Sequence, residues 1–432
     1  MKQTDAATEG NTASPLLIGW ASRDITTGKP VCVHGQFYLR ISEKVLDPIT
    51  VTALAIDSGG DAAIFLSGDV TGFYGFMVRK VRDRVAELSP DLPAEKIVMN
   101  ATHTHTTGDF AGMAKPGTDY PCDMERMPTE EYQEFFVASA AAAIIEAWNT
   151  RKPGAVAWGY GFAVTGHSRR TVYLDDISRR AGSGNTPGVR VDGHAQMYGN
   201  PNDPMFSHFE AGADPFVNLL YTFDAAHALT GAVVNVPCPS QCSEHEWALS
   251  ADFWHEVRQN LRRARGPLFI LPQCAAAGDL SPRILHYRKA QERRFRLKAT
   301  TERQEIADRI TAAFDEVLAW AAKDIRDALP LKHEIREIAL ERRRITPEEY
   351  EANVKALAAM QAETFAAEGT PKERVRHDST LAARRNRAGR IIERYRIQDR
   401  EPAIPVCLHV VKLGEIAFAF SPFELYMDYM HR

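Results

Sequence analysis

The stretch NATHTHTTG, residues 100–108, sets His103 and His105 two positions apart among threonines, directly after the apolar run that ends at Met99. Neutral imidazole is a zinc ligand and can act as an acid or base near neutral pH, so this spacing suits a metal-ligand loop or proton-transfer chemistry. The two rings are expected on opposite sides of an extended loop, one free to ligate while the other faces a substrate. A polar loop whose imidazoles are satisfied by threonine hydroxyls is the plainer alternative.

Other chemically capable residues follow apolar runs in the same way. Asp69 ends DAAIFLSGD, placed either to orient a ligating imidazole or to cap a helix beginning near residue 74. GAVVNV leads into PCPSQCSEHEW, which carries Cys238, Cys242 and His245. A thiolate there could ligate a metal, whereas a buried inert thiol is the default for a free cysteine. PLFIL leads into a loop with Asp279 and Ser281, which also reads as a plain turn before a proline. EIAFAF leads into SPFELY with Glu424, a position that a helix dipole alone would favour. In HSRRTVYL, Arg169 or Arg170 could bind a carboxylate or phosphate bidentately or be a surface charge. Residues 199–216 read as a long loop lining the pocket, with His208, Glu210 and Asp214. His255 falls on a helix capped by Ser250 and reads as a packing residue.

The elements that must position these groups are partly legible. Residues 51–58 and 61–69 read as strands around an SGGD turn, 74–88 as an amphipathic helix and 96–100 as a short buried strand. Strand, helix, strand predicts parallel neighbours joined by a right-handed crossover, with ligands collecting beyond the carboxyl ends of the strands. Several such runs feeding polar loops predict one shared site at a sheet edge. Further helices are expected over 132–148, 299–326, 345–365 and 379–397; the last two are a charged pair read as a solvated hairpin, a lid or a dimer arm. Residues 1–15 read as a disordered tail.

Composition narrows the class. A 44% hydrophobic, 25% charged chain can bury a full core, and a net charge of −4 argues against a nucleic-acid binder. The apolar stretch 137–148 is shorter than the ~20 residues a membrane span requires. The start lacks an apolar signal segment, and six scattered cysteines fit reduced thiols in the cytoplasm.

GWASRDIT, LSGDVTG, NATHTHTTG, GDLSP and FSPFE together resemble, in order and rough spacing, the neutral/alkaline non-lysosomal ceramidase family. The resemblance covers roughly residues 17–285 in pieces and 405–425. It implies that His103 binds zinc, that His105 polarises the substrate carbonyl, and that Glu424 is a further ligand. It also implies site roles for Asp279, Ser281 and either Arg169 or Arg170. The family's second zinc histidine lies fourteen residues before an aspartate, and counting back from Asp252 lands on Cys238; His245 is the other candidate for that ligand. The family's tyrosine ligand lies tens of residues beyond the glutamate, whereas this sequence ends eight residues after Glu424. No C-terminal immunoglobulin-like domain is expected.

The expectation is one α/β catalytic domain over 16–432, with a mixed, partly parallel sheet flanked by helices and a helical excursion near 330–400. By the resemblance it is a Zn2+-dependent hydrolase of a C–N amide bond; the charged loops favour a small polar or amphipathic substrate. A metal-free hydrolase or lyase acting on a carbohydrate-like molecule, and a non-catalytic binding protein, are the alternatives. No nucleic acid and no membrane span are expected, and a homo-oligomer is compatible with the charged helices.

Overall fold

The structure, a computed structural model, describes residues 13–111, 120–180 and 193–431. Most of the expected tail therefore lies outside the described residues, and Ser14 already begins a strand.

Eight strands form the main sheet. In chain order they are β1 (Ser14–Asp24), β2 (Thr50–Asp57), β3 (Ala62–Gly68), β4 (Ile97–Ala101), β5 (Lys152–Phe162), β6 (Phe216–Asp224), β7 (Leu229–Val236) and β8 (Phe269–Cys274). Their spatial order is β8-β7-β6-β5-β1-β2-β3-β4, with the short strand Ala328–Leu329 added beside β1. The sheet is mixed. β3/β4 and β7/β8 pair parallel, and the other neighbours pair antiparallel. Residues 51–68 make the expected hairpin, and β3, helix and β4 make the expected parallel unit.

The two parallel pairs stand at opposite ends of the strand order, yet they meet. Ser67 Oγ and Asn100 Nδ2 both donate to the Pro272 carbonyl, at 2.5 and 2.8 Å. Trp20 of β1 stacks on Phe269 of β8 with ring centroids 5.6 Å apart. The sheet thus curls until β8 lies against β3 and β4. This brings the carboxyl ends of β3, β4, β7 and β8 to one place.

Among the described residues seven helices accompany it: α1 (Gly75–Leu88), α2 (Thr129–Asn149), α3 (Phe253–Arg265), α4 (Arg288–Lys298), α5 (Glu302–Ala321), α6 (Pro347–Ala362) and α7 (Pro371–Ile397). Of the apolar positions expected to face inward, Met77, Val81 and Val85 of α1 are buried, Val78 is half-buried and Leu88 is exposed. With α2 it covers one half of a sheet face, and α3 and α5 cover the other half. The opposite face gathers Leu54, Phe65, Val156 and Val233 under a second sheet of β9 (Leu331–Glu341), β10 (Ala403–Leu413) and β11 (Ile416–Phe420). Burial on both faces explains why these strands read as continuous apolar runs. The second sheet is seated on the first through two buried histidines. His333 Nδ1 donates to the Ala62 carbonyl (3.2 Å), His409 Nδ1 donates to His333 Nε2 (3.0 Å), and Arg82 donates to His409 Nε2 (3.2 Å).

α6 and α7 fill the connection between β9 and β10. α7 is longer than the expected 379–397: Thr370 and Glu373 form a reciprocal capping box, so the helix starts at Pro371. Nor is it merely solvated. Ser379 Oγ accepts the buried Leu39 amide at 2.8 Å, and Val375 packs with Leu39, Ile41 and Trp247. α3 is capped by Asp252, not Ser250, whose hydroxyl donates to Asp47 (2.7 Å). Among the described residues no helix is long and apolar enough to cross a membrane.

Candidate functional site

β4 ends at Ala101, and the chain turns at His103, whose φ is +60°. The turn brings the two histidines together instead of sending them apart: their ring centroids are 4.9 Å apart and their Nε2 atoms 3.4 Å apart. The expectation of opposite sides is corrected on this point. Residues two apart on an extended chain share a side, and the turn at His103 closes the angle further.

Each ring is oriented by its other nitrogen. His103 Nδ1 donates to the Thr71 carbonyl (2.6 Å), which leaves Nε2 as the lone-pair atom. His105 Nδ1 faces Glu244 Oε2 at 3.2 Å, off the line of a well-aligned hydrogen bond, and its Nε2 accepts from the Gln241 amide at 2.9 Å. Burial pushes the His105 pKa down to about 4, so the ring is neutral at pH 7. Burial alone would raise the Glu244 carboxyl, but His105 and Arg283 outweigh it and bring it to about 2.

From these two rings the contacts close into a circuit. Glu424 Oε1 lies 3.5 Å from His103 Nε2 and 3.3 Å from Arg169 Nη2. Arg169 Nη1 donates to the Tyr198 hydroxyl at 3.2 Å, and that hydroxyl lies 3.5 Å from Gln241 Oε1. Gln241 returns to His105. One arc, His103, His105 and Glu424, presents acceptors to a shared space. The other, Gln241, Tyr198 and Arg169, presents donors. His103 Nε2 and Glu424 Oε1 face each other as acceptors, a pairing favoured by a cation or a proton between them, while His105 Nε2 is already met by the Gln241 amide.

The expected ligands divide. An ion-bound pair of ligand atoms on tetrahedral zinc, each about 2.0–2.1 Å from the metal, sits roughly 3.3 Å apart. His103 Nε2 and Glu424 Oε1 match that separation, and the Nδ1 anchor of His103 gives the right tautomer. Cys238 does not join them. It is fully buried, its thiol donates to the Thr165 carbonyl (3.2 Å), and burial holds its pKa far above the usual value. His245 is largely exposed and turns to Arg283, 3.2 Å away. Gln241 already engages the third converging nitrogen, that of His105. Among the described residues no group of three or more His, Cys, Asp or Glu is arranged to hold a metal ion.

The remaining candidates support the circuit from behind or lie outside it. Asp69 is fully buried; both carboxylate oxygens are held by Arg258 at 2.8 and 3.0 Å, and Thr50 adds its amide. It neither orients an imidazole nor caps α1, because Arg258, 189 residues away, claims it. Asp279 accepts the Met427 amide (2.8 Å) and its carbonyl accepts the Arg169 amide (2.9 Å), so it fixes both arms that carry Arg169 and Glu424. Ser281 is buried, and its hydroxyl oxygen accepts the Arg283 amide (3.2 Å). Of the arginine pair, Arg169 points inward, and Arg170 pairs with Glu210 and lies over the Tyr426 ring. Residues 199–216 are not all loop: Phe206–Phe209 pairs with Arg170–Tyr173, His208 is exposed, and Asp214 is buried, accepting the Phe216 amide.

Sequence reasoning missed Gln241, Glu244, Tyr198, Arg283 and Arg40. Arg40 is wholly buried and donates to four carbonyls, those of His34, His105, Glu244 and Glu246. It ties three loops into one wall. Gly35, at φ +114°, lets the first of these loops approach, since a Cβ there would lie 2.4 Å from His105 Cγ. Gln241 and Glu244 sit in a strand-end loop already singled out, but neutral amides and lone carboxylates in loops carry no spacing signal.

No protein-family model matches the chain, and no curated protein sequence does. Solved structures are similar to it in fold. A neutral ceramidase from Pseudomonas aeruginosa superposes with a TM-score of 0.59 at 15% identity, covering 94% of this chain and 62% of that one. A structure described as ceramidase complexed with C2 gives 0.57 at 15% identity, covering 94% and 63%. The chain thus spans less than two thirds of their length, and at this identity what is shared is the fold.

Proposed function

With that fold as premise, we propose that the chain is a hydrolase of C–N amide bonds, with the circuit of His103, His105, Gln241, Tyr198, Arg169 and Glu424 as its active site. The observation that carries this reading is the division of the circuit into an acceptor arc and a donor arc. Amide hydrolysis needs both: acceptors to take a proton from water, and donors where negative charge develops on the carbonyl oxygen.

Zinc is part of the proposal, with His103 and Glu424 as the ligands this chain offers. Such an ion, when bound, would lower the pKa of a coordinated water to about 7 and polarise a carbonyl. The chain's own residues do the rest. Glu424, set between His103 and Arg169, is placed to take the proton of the attacking water. His105, neutral and fixed by Glu244 and Gln241, borders the same space without adding charge to it. Arg169 balances Glu424 and offers its guanidinium to the substrate side.

An amphipathic acyl amide suits the rim. Phe37, two residues beyond the Gly35 that abuts His105, is 84% exposed, an apolar side chain beside a polar floor.

The test is metal content of protein purified without a histidine tag, together with turnover of N-acyl amides of increasing chain length. About one zinc per chain, lost in His103→Ala, with release of amine and acid, is the expected result. A zinc-reconstituted protein that releases neither from any member of the series would sink the hydrolase reading.

A further inference from the structure

We infer that Tyr198 is a catalytic residue of this site, its hydroxyl donating to the carbonyl oxygen of the substrate as that oxygen becomes an anion. The inference rests on the amide-hydrolase reading for its chemistry, but its geometry is independent of it.

Tyr198 stands at the end of the short strand Ala195–Met197, which pairs with Arg170–Tyr173. Its backbone adopts φ +54°, a left-handed conformation that a bulky aromatic residue rarely takes. Such strain persists only where the surroundings over-determine it, and it concentrates at functional sites. Here two features impose it. The Tyr198 amide donates to the Arg169 carbonyl at 2.6 Å. The next residue is Gly199, where a Cβ would lie 1.9 Å from Thr171 Oγ1, so the chain is pressed flat against the neighbouring strand. The effect is to hold the tyrosine ring in the cleft, 41% exposed, with the Arg169 guanidinium 5.5 Å from its centroid.

The hydroxyl is left with a donor to spare. Arg169 Nη1 donates to its oxygen at 3.2 Å, so the phenolic hydrogen must look elsewhere. The acceptor it finds, Gln241 Oε1, is 3.5 Å away, at the outer limit of a hydrogen bond. Gln241 cannot come closer while its amide nitrogen is tied to His105 at 2.9 Å. An O–H beside a guanidinium, half exposed and poorly matched at rest, is a donor waiting for a better acceptor. An oxyanion supplies one.

The step balances as follows. Water oxygen forms a bond to the acyl carbon while its proton passes to Glu424. The carbonyl π pair moves to oxygen, which accepts hydrogen bonds from Tyr198 and Arg169. The pair then returns, the C–N bond breaks, and nitrogen leaves with the proton held by Glu424. The products are a carboxylic acid, ionised at neutral pH, and an amine.

The experiment compares Tyr198→Phe with wild type in two assays: hydrolysis of an N-octanoyl amide, and calorimetric binding of octanoate, the acid product. Phenylalanine keeps the ring beneath Arg169 and removes only the hydroxyl. At unchanged melting temperature, kcat should fall about 10²–10³-fold with KM within about threefold, the loss typical of one oxyanion donor. Octanoate should bind about tenfold more weakly, for the loss of one charge-assisted hydrogen bond. A variant within threefold of wild type in both assays overturns the assignment, as does a wild type that binds no octanoate. Wild type that binds octanoate through Tyr198 yet cleaves no amide would instead remove the amidase reading and leave Tyr198 as the oxygen donor of the site.

Discussion

At the scale of single residues, the site depends on which nitrogen of each histidine carries its proton, and this is set by Thr71 for His103 and by Gln241 with the Glu244 charge for His105. The Glu244 carboxylate is the more demanding partner, because it also neutralises Arg283 behind the wall, at 2.5 Å. Glu244→Ala should lower activity by about 10–100-fold, the usual range for a residue that orients a catalytic imidazole. Glu244→Gln, which retains an oxygen toward Nδ1, should lower it much less. Steady-state rates for the two variants, with the His105 tautomer read from ¹⁵N shifts, check both the loss and its cause. Equal losses in both would assign the effect to the ion pair with Arg283 instead.

At the scale of elements, helix α7 props the loop that carries Arg40 and Gly35. Ser379→Ala removes the acceptor of the buried Leu39 amide, so it should cost about 1–3 kcal/mol of stability. Urea unfolding measures the cost, and faster hydrogen exchange at Leu39 locates it; an unchanged Leu39 would refute the prop. This role was invisible in the sequence, where α7 reads as an arginine-rich surface helix. Periodicity reveals a stripe such as Met77, Val81 and Val85, but it says nothing of which distant loop a helix end will meet. The same holds within the site. Strand ends followed by polar loops pointed to His103 and Glu424, because apolar runs and abrupt polarity are local signals, whereas Arg169 came from the family resemblance. Asp69 was misjudged because its partner, Arg258, is set by the curl of the sheet, and Tyr198 was missed because φ +54° at a tyrosine leaves no mark in composition.

At the scale of the whole molecule, buried histidines set the response to acid. Burial draws His105 and His409 down to about 4 and lowers His333 and His167 as well, against an ordinary value of 6.5. A folded pKa below the unfolded one means the unfolded chain binds more protons between the two values, so stability is full above about pH 6.5 and falls as pH drops toward 4. Glu244, depressed to about 2 from 4.5, adds stability that is present above 4.5 and is lost below it. The melting temperature should therefore be flat from pH 8 to 7 and decline through pH 6 to 4, and a profile level down to pH 5 would contradict the burial of these rings. The second sheet should loosen early, since His333 and His409 can keep their chain of hydrogen bonds only while both are neutral.

The contact of Ser67 and Asn100 with the Pro272 carbonyl has a kinetic meaning too. It joins segments separated by about two hundred residues of chain, and loop closure over such spans is slow. On a ribosome, His103 and His105 emerge long before β8, and Glu424 follows only well after it. The nascent chain therefore carries paired imidazoles with no assembled cleft around them until synthesis has passed both β8 and Glu424 and the curl has closed.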